Sequence, residues 1–201
     1  MAADLLDPAA ADRVMDAIDR DWSRLDILVN NVGGGGRWGS EDVAATDTQV
    51  WSEVYEKNAM AAVRFTRRAL PHMQRTGWGR VVTITSIYGG KDGDGRPWFT
   101  MAKAAETALM KSLSTMPQLA RGGITFNCVA PGGIYIAGTR FDEEKKKDEA
   151  AFQRMIDHDY PLGRLGTVEE VAAVVCFVCS TAASLLNGAN IAVDGGQSRA
   201  Y

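Results

Sequence analysis

Four short apolar runs, rich in β-branched residues and closed by Asn, Gly or Pro, alternate with stretches of helical periodicity. The runs are Leu25 to Val32, Val81 to Thr85, Ile124 to Val129 and Asn190 to Asp194. Strands separated by helices form βαβ units, which demand a parallel sheet wrapped by helices. The Leu25–Val32 run reads as a strand buried on both faces, as strands of such sheets are. Between the runs, Asp7 reads as an N-cap with Pro8 at the first helical position, and Val14, Ala17 and Ile18 give an apolar stripe up to Trp22. Asp47 can cap one long helix with Trp51, Val54, Tyr55, Asn58, Ala62, Phe65 and Ala69 along a face. A further helix runs from about Thr100 to near Pro117, and Thr167 to Glu170 forms a capping box opening the last one. No repeat, linker or low-complexity tract interrupts the pattern, so residues 1–201 read as one α/β domain.

Charge excludes some partners. The net charge is −3, with Lys and Arg scattered among Asp and Glu. Without a basic stripe, nucleic acid is not expected as a partner. Lys145-Lys146-Lys147 is flanked by Glu143, Glu144, Asp148 and Glu149 and reads as a solvated helix face. No apolar run reaches the roughly 18 residues needed to span a membrane. Met1-Ala2-Ala3-Asp4 has neither the basic start nor the apolar run of a signal peptide. Cys128, Cys176 and Cys179 make an odd count that suits a reducing cytoplasmic setting. Cys176 and Cys179 form C-x-x-C, but they sit in the apolar run Val174 to Cys179 with no second pair. They read as core packing, and no metal site is expected.

Four local patterns then occur in order. Asn30-Asn31-Val32-Gly33 ends the first strand, and Asn58 is a polar intruder on an apolar stripe. Thr85-Ser86 ends the second strand, with Lys103 on the helix after it. Pro131-Gly132 ends the third strand, and Val193-Asp194-Gly195-Gly196 follows the fourth. In this series the chain resembles the short-chain dehydrogenase/reductase family from about Asp4 to Ser198. The resemblance implies a Rossmann-like doubly wound sheet whose ligand lies at the carboxyl ends of the strands. It implies an oxidoreductase interconverting an alcohol and a ketone with NAD or NADP. By position, the catalytic group is Asn58, Ser86, residue 99 and Lys103. In the family a tyrosine moves the proton at the reacting oxygen and the serine orients that oxygen. The lysine lowers the tyrosine's pKa and holds the nicotinamide ribose, and the asparagine places a water. The same correspondence puts Asp4 and Leu5 at the adenine, and Asn31 and Gly33 at the adenosine side. Ser86, Lys103, Pro131, Gly132, Ile134 and Thr139 fall around the nicotinamide.

Two departures qualify this. Position 99 is Phe99, which has no proton to exchange. Losing a general acid or base costs on the order of 10²–10⁴ in rate. Tyr88 is a weak substitute, because catalytic geometry must hold within about 0.5 Å. The family's Gly-rich phosphate loop would precede Asp4, and the chain as written does not contain it. The expected fold is therefore a Rossmann-like sheet lacking its first βαβ unit, with weak dinucleotide binding. Gly33 to Gly36 is no replacement, since it lacks the G-x-G-x-x-G-then-helix context and reads as a flexible βα loop. Residues 133–166 match the family's substrate lid. Phe141, Phe152, Met155, Ile156 and Tyr160 suit it to covering a small apolar or mixed molecule. The resemblance implies a homo-oligomer joined through the long helices from about Asp47 and Thr100. The alternative is a dehydrogenase-like scaffold without redox chemistry, acting as a lyase, an isomerase or a non-catalytic subunit.

Overall fold

The computed structural model describes residues 2–34, 38–40, 42–90 and 96–199. Strands β1 (Ile27–Asn30), β2 (Gly79–Ile84), β3 (Ile124–Pro131) and β4 (Asn190–Val193) form one parallel sheet in that order. Helices α1 (Ala10–Asp21), α2 (Thr48–Tyr55), α3 (Ala61–Thr76), α4 (Pro97–Ser114), α5 (Pro117–Ala120), α6 (Arg140–Lys147), α7 (Glu149–Asp159) and α8 (Val168–Cys179) connect and flank it. This is the expected α/β Rossmann-like architecture.

The period-two alternation of β2 and β3 sorts the core into two layers. On one face, Leu28, Val81, Phe126 and Cys128 pack against Ala69 and Met73 of α3 and Met110 of α4. On the other, Val82, Val129 and Ile191 pack against Val171, Val174, Val175 and Val178 of α8. Burial of β1 on both faces does not hold. Val29 pairs in register with Val82 and so points to the α8 side. Helix α8 packs on β2, β3 and β4, and Ile27 and Val29 remain 42% and 39% exposed.

Helix boundaries differ from the sequence reading at three places. Helix α1 starts at Ala10, because Asp7 accepts from Ala9 N at 2.9 Å in a turn before it. Asp47 caps α2 as expected, accepting from Gln49 N at 2.8 Å. The long helix it opens is divided by a π-helical turn at Glu56–Met60 before α3 begins. Helix α4 starts at Pro97, with Pro at the first position. The capping box on α8 forms: Thr167 Oγ1 accepts from Glu170 N at 3.3 Å, and Glu170 Oε2 accepts from Thr167 N at 2.9 Å.

Cys179 is half-buried and packs against the cluster of Val82, Val129 and Val178, as expected, whereas Cys176 is exposed, which corrects the core reading for that residue. Helix α8 turns only one side to the sheet, and Cys176 and Phe177 lie on the other. In the lid, Ile156, Tyr160 and Leu165 pack with Phe141, Phe152 and Met155. Asp142, 6% exposed, staples α6 to the preceding loop. It accepts from Tyr135 Oη at 2.7 Å, Gly138 N at 2.8 Å and Lys146 Nζ at 2.8 Å. Among the described residues no helix is long and apolar enough to cross a membrane.

Candidate active site

Parallel strands bring their carboxyl ends to one edge of the sheet, and there the chain leaves β1 and β2 for its helices. Asn30 Nδ2 donates to Thr83 Oγ1 at 3.2 Å and ties the two strand ends together. Beyond it, a Cβ on Gly33 would lie 2.4 Å from Asn58 Oδ1 and 2.9 Å from Lys103 Nζ. Only glycine permits that approach. Gly33, Asn58 and Lys103 therefore converge, whereas the resemblance put Gly33 at the adenosine side and Lys103 around the nicotinamide. Gly35 and Gly36, the rest of the expected flexible loop, lie outside the described residues.

Asn58 sits in the π-helical turn, a distortion frequent at functional sites. Its side chain is fully buried and pins the Gly34 backbone in both directions. Oδ1 accepts from Gly34 N at 3.0 Å, while Nδ2 donates to Gly34 O at 2.9 Å and Val54 O at 2.7 Å. Lys103, 5% exposed, rises from α4 and donates to Ile84 O at 3.0 Å and Glu106 Oε2 at 2.9 Å. Phe99 lies one turn earlier, its ring centroid 5.9 Å from Lys103 Nζ, packed among Val54, Trp98 and Ala102. It supplies a wall and no proton.

Ser86 caps a 3₁₀ turn at Ile87–Gly89, its hydroxyl accepting from Tyr88 N at 3.3 Å. That turn docks on α4 beside Lys103. A Cβ on Gly89 would sit 2.9 Å from Lys103 O, and Thr107 Oγ1 donates to Gly89 O at 3.0 Å. Tyr88 lies instead within electrostatic reach of Arg140 and Tyr160 of the lid. Burial and the Tyr88 phenol push the Tyr160 phenol up to about 12.

Sequence reasoning missed Glu106. It is 1% exposed, and burial pushes its carboxyl up while Lys103 pulls it partly back. Across from it on β3, burial and Glu106 raise the Cys128 thiol to about 12. The available signal was the three-residue spacing from Lys103, which places both on one face of a helix.

At the third strand end the glycines make room for neighbouring segments. A Cβ on Gly132 would meet Gln197 Oε1 at 2.5 Å, and one on Gly133 would meet Tyr160 Oη at 2.4 Å. Gly133 N donates to Gln197 Oε1 at 2.7 Å. These glycines, beyond half-buried Pro131, admit the C-terminal segment and the lid. Ile134 bridges to Gly166 and lines a small cleft with Leu162, Arg164 and Asp194. Thr139 is exposed and donates to Ile136 O at 2.7 Å. Asp4 is exposed and accepts from Leu6 N at 3.0 Å in a local turn. Leu5 is half-buried and Asn31 exposed. Among the described residues neither Asp4 nor Asn31 hydrogen-bonds to the Lys103 cluster.

Comparison with known proteins agrees with this fold. A family model described as enoyl-(acyl carrier protein) reductase matches residues 1–198. The 3-oxoacyl-[acyl-carrier-protein] reductase FabG of Salmonella typhimurium is 31% identical over 190 residues, covering 94% of this chain and 73% of the relative. The acetoacetyl-CoA reductase of Rhizobium meliloti is 34% identical over 182 residues, covering 90% and 70%. Among solved structures, L-sorbose reductase from Gluconobacter frateurii, complexed with NADPH and L-sorbose, superposes with a TM-score of 0.89. It is 29% identical, and the match covers 100% of this chain and 76% of that one. The order of the motifs, the parallel sheet and these matches place the chain in the short-chain dehydrogenase/reductase family.

Proposed function

We propose that the chain is an NAD(P)-dependent oxidoreductase that interconverts a carbonyl and an alcohol on a small molecule, with an impaired proton-transfer step. The observation that carries this reading is the convergence of Lys103, Asn58 and Gly33 at the carboxyl ends of β1 and β2. Open α/β sheets bind their ligands at such strand ends. The named activities of the relatives, reductases of 3-oxoacyl and acetoacetyl thioesters, support it. One structural neighbour is an NADPH-dependent reductase and another is complexed with NADPH, which supports the cofactor class.

The described residues fit the nicotinamide-ribose end of such a cofactor. Lys103 has an N–H bond left beyond its two protein acceptors, next to a glycine without a side chain. When bound, the dinucleotide supplies or accepts the hydride. Lys103 would then hold ribose hydroxyls, and Asn58 keeps the neighbouring Gly34 backbone in place. Ser86 orients the reacting oxygen, since among the described residues its hydroxyl accepts one bond and has its own proton to offer. Phe99 excludes water from one side and moves no proton. A weak grip on the pyrophosphate is part of this proposal, because Gly33 to Gly36 lacks the G-x-G-x-x-G-then-helix context. The lid, residues 133–166, closes over the substrate, and copies associate through α2 and α4.

Phe99 also favours a second reading, a scaffold of this family that performs no redox step. Oxidation of NADPH in the presence of a short 3-oxoacyl thioester separates the two. Slow, substrate-dependent oxidation is expected for the native chain and for Phe99→Tyr. No substrate-dependent oxidation in either, at millimolar NADPH, would leave the scaffold reading.

A further inference from the structure

Glu106 belongs to no motif, and the reading above assigns it no part. It is 1% exposed on α4, where that helix packs on β3. A carboxyl buried so deeply requires a partner. The partner is Lys103, one turn earlier on the same face, with Nζ 2.9 Å from Glu106 Oε2. A lysine ammonium carries three N–H bonds. One goes to Glu106 and a second to Ile84 O at 3.0 Å. Fixing two directions at a tetrahedral nitrogen fixes the third. The nitrogen lies beside Gly33, where a Cβ would come within 2.9 Å of it, and Asn58 Oδ1 lies 2.4 Å from the same point.

We infer that Glu106 is a positioning residue that clamps the Lys103 ammonium and leaves a single N–H for a ligand held between Gly33, Asn58 and Phe99. The inference rests on the proposed dinucleotide site and deepens it. It also narrows the ligand chemistry. With no phenol at position 99, the lysine's charge is balanced by a carboxylate on its own helix. A compensated ammonium with one directed donor suits an uncharged diol, such as a ribose. It does not suit a phosphate, which would draw on the full charge.

The test uses the 201-residue chain as Glu106→Gln, Glu106→Asp and the double variant Lys103→Met/Glu106→Leu. The first readout needs no cofactor. Acetic anhydride acylates only uncharged amines, so labelling of Lys103 at fixed pH, scored by peptide mass spectrometry, reports the clamp. Lys145 and Lys147, on the exposed face of α6, serve as references. Labelling of Lys103 should rise in Glu106→Gln, where the ammonium loses its hydrogen-bonded carboxylate, and stay near native in Glu106→Asp. Equal labelling in native and Glu106→Gln would overturn the inference. The second readout is NADPH affinity, expected to weaken about tenfold in Glu106→Gln and to recover in Glu106→Asp. NADPH binding that is equal in native and Glu106→Gln would also overturn it. A native chain that binds no NADPH, with Lys103 labelling that still responds, would sink the dinucleotide reading and leave the clamp standing. If Glu106→Gln fails to fold, the double variant should fold, because it leaves no lone buried charge. A double variant less stable than Glu106→Gln would count against the pairing.

Discussion

At position 99 a single oxygen separates a pocket wall from a proton donor. Phe99 occupies the ring position one turn before Lys103, so Phe99→Tyr should restore a donor and leave the surrounding packing in place. It leaves the proposed weak grip on the pyrophosphate as it is. The gain in turnover at low NADPH should therefore stay below the roughly 10²–10⁴-fold that a general acid is worth, with NADPH affinity unchanged. Steady-state kinetics over an NADPH series will check this, and robust turnover by the single variant on simple ketones would contradict it. Gly33→Ala is a steric test of the same site. Its Cβ would fall 2.4 Å from an Asn58 oxygen that is locked by the Gly34 backbone. A cost of about 1–3 kcal/mol in chemical denaturation is expected, as for other overpacked sites. Asn58 was legible in the sequence because it breaks an apolar helical stripe, and Lys103 because the resemblance places it four residues after position 99. Glu106 was not, because a glutamate three residues after a lysine ordinarily marks a solvated helix face. The reason for Gly133 was also hidden, since the Tyr160 hydroxyl that needs the space lies 27 residues away in sequence.

Elements were easier to read than their ends. Apolar periodicity continues through the π-helical turn at Glu56–Met60, so the sequence shows one helix where the backbone makes three segments. The lid carries an acid sensitivity that the sequence did not show. Lys146, Gly138 N and Tyr135 hold the Asp142 carboxyl well below the usual range, and Arg164 and Thr167 hold Glu170 at about 2. Carboxyls depressed in the folded state stabilise it fully above the ordinary carboxylate pKa. They lose that contribution as pH falls through the folded value. Amides of α6 and α7 should therefore lose hydrogen-exchange protection below about pH 4, before those of β2 and β3. Asp142→Asn should weaken the lid at neutral pH and flatten this dependence, and a lid indifferent to pH in the native chain would contradict the account. Strand β1 gives a sharper pattern. Arg80 N donates to Asp26 O, so in the parallel ladder Leu28 faces β2 while Ile27 and Val29 face outward. Their amides should exchange fast, with Leu28 and Val81 to Ile84 slow. Strong protection at Ile27 and Val29 in a monomer would mean that another part of the chain closes this edge.

The whole molecule follows from its alternation of strands and helices, which leaves few topologies once connections must be right-handed. The sequence could not show how far each face is covered. Helix α8 reaches three of the four strands, so Ile27 and Val29 stay exposed although they read as core. An apolar edge strand without charge or proline invites pairing with another chain. Association of the 201-residue chain should accordingly rise with concentration and protect the Ile27 and Val29 amides. The central claim is that the Lys103 end of this edge binds a nicotinamide dinucleotide, weakly. Titration of NADPH, followed by its fluorescence, tests it most directly when native chain and Lys103→Met are compared. The account predicts saturable binding with a dissociation constant above about 100 µM, lost in Lys103→Met. Low-micromolar binding, or binding of any strength that survives the loss of Lys103, would contradict it.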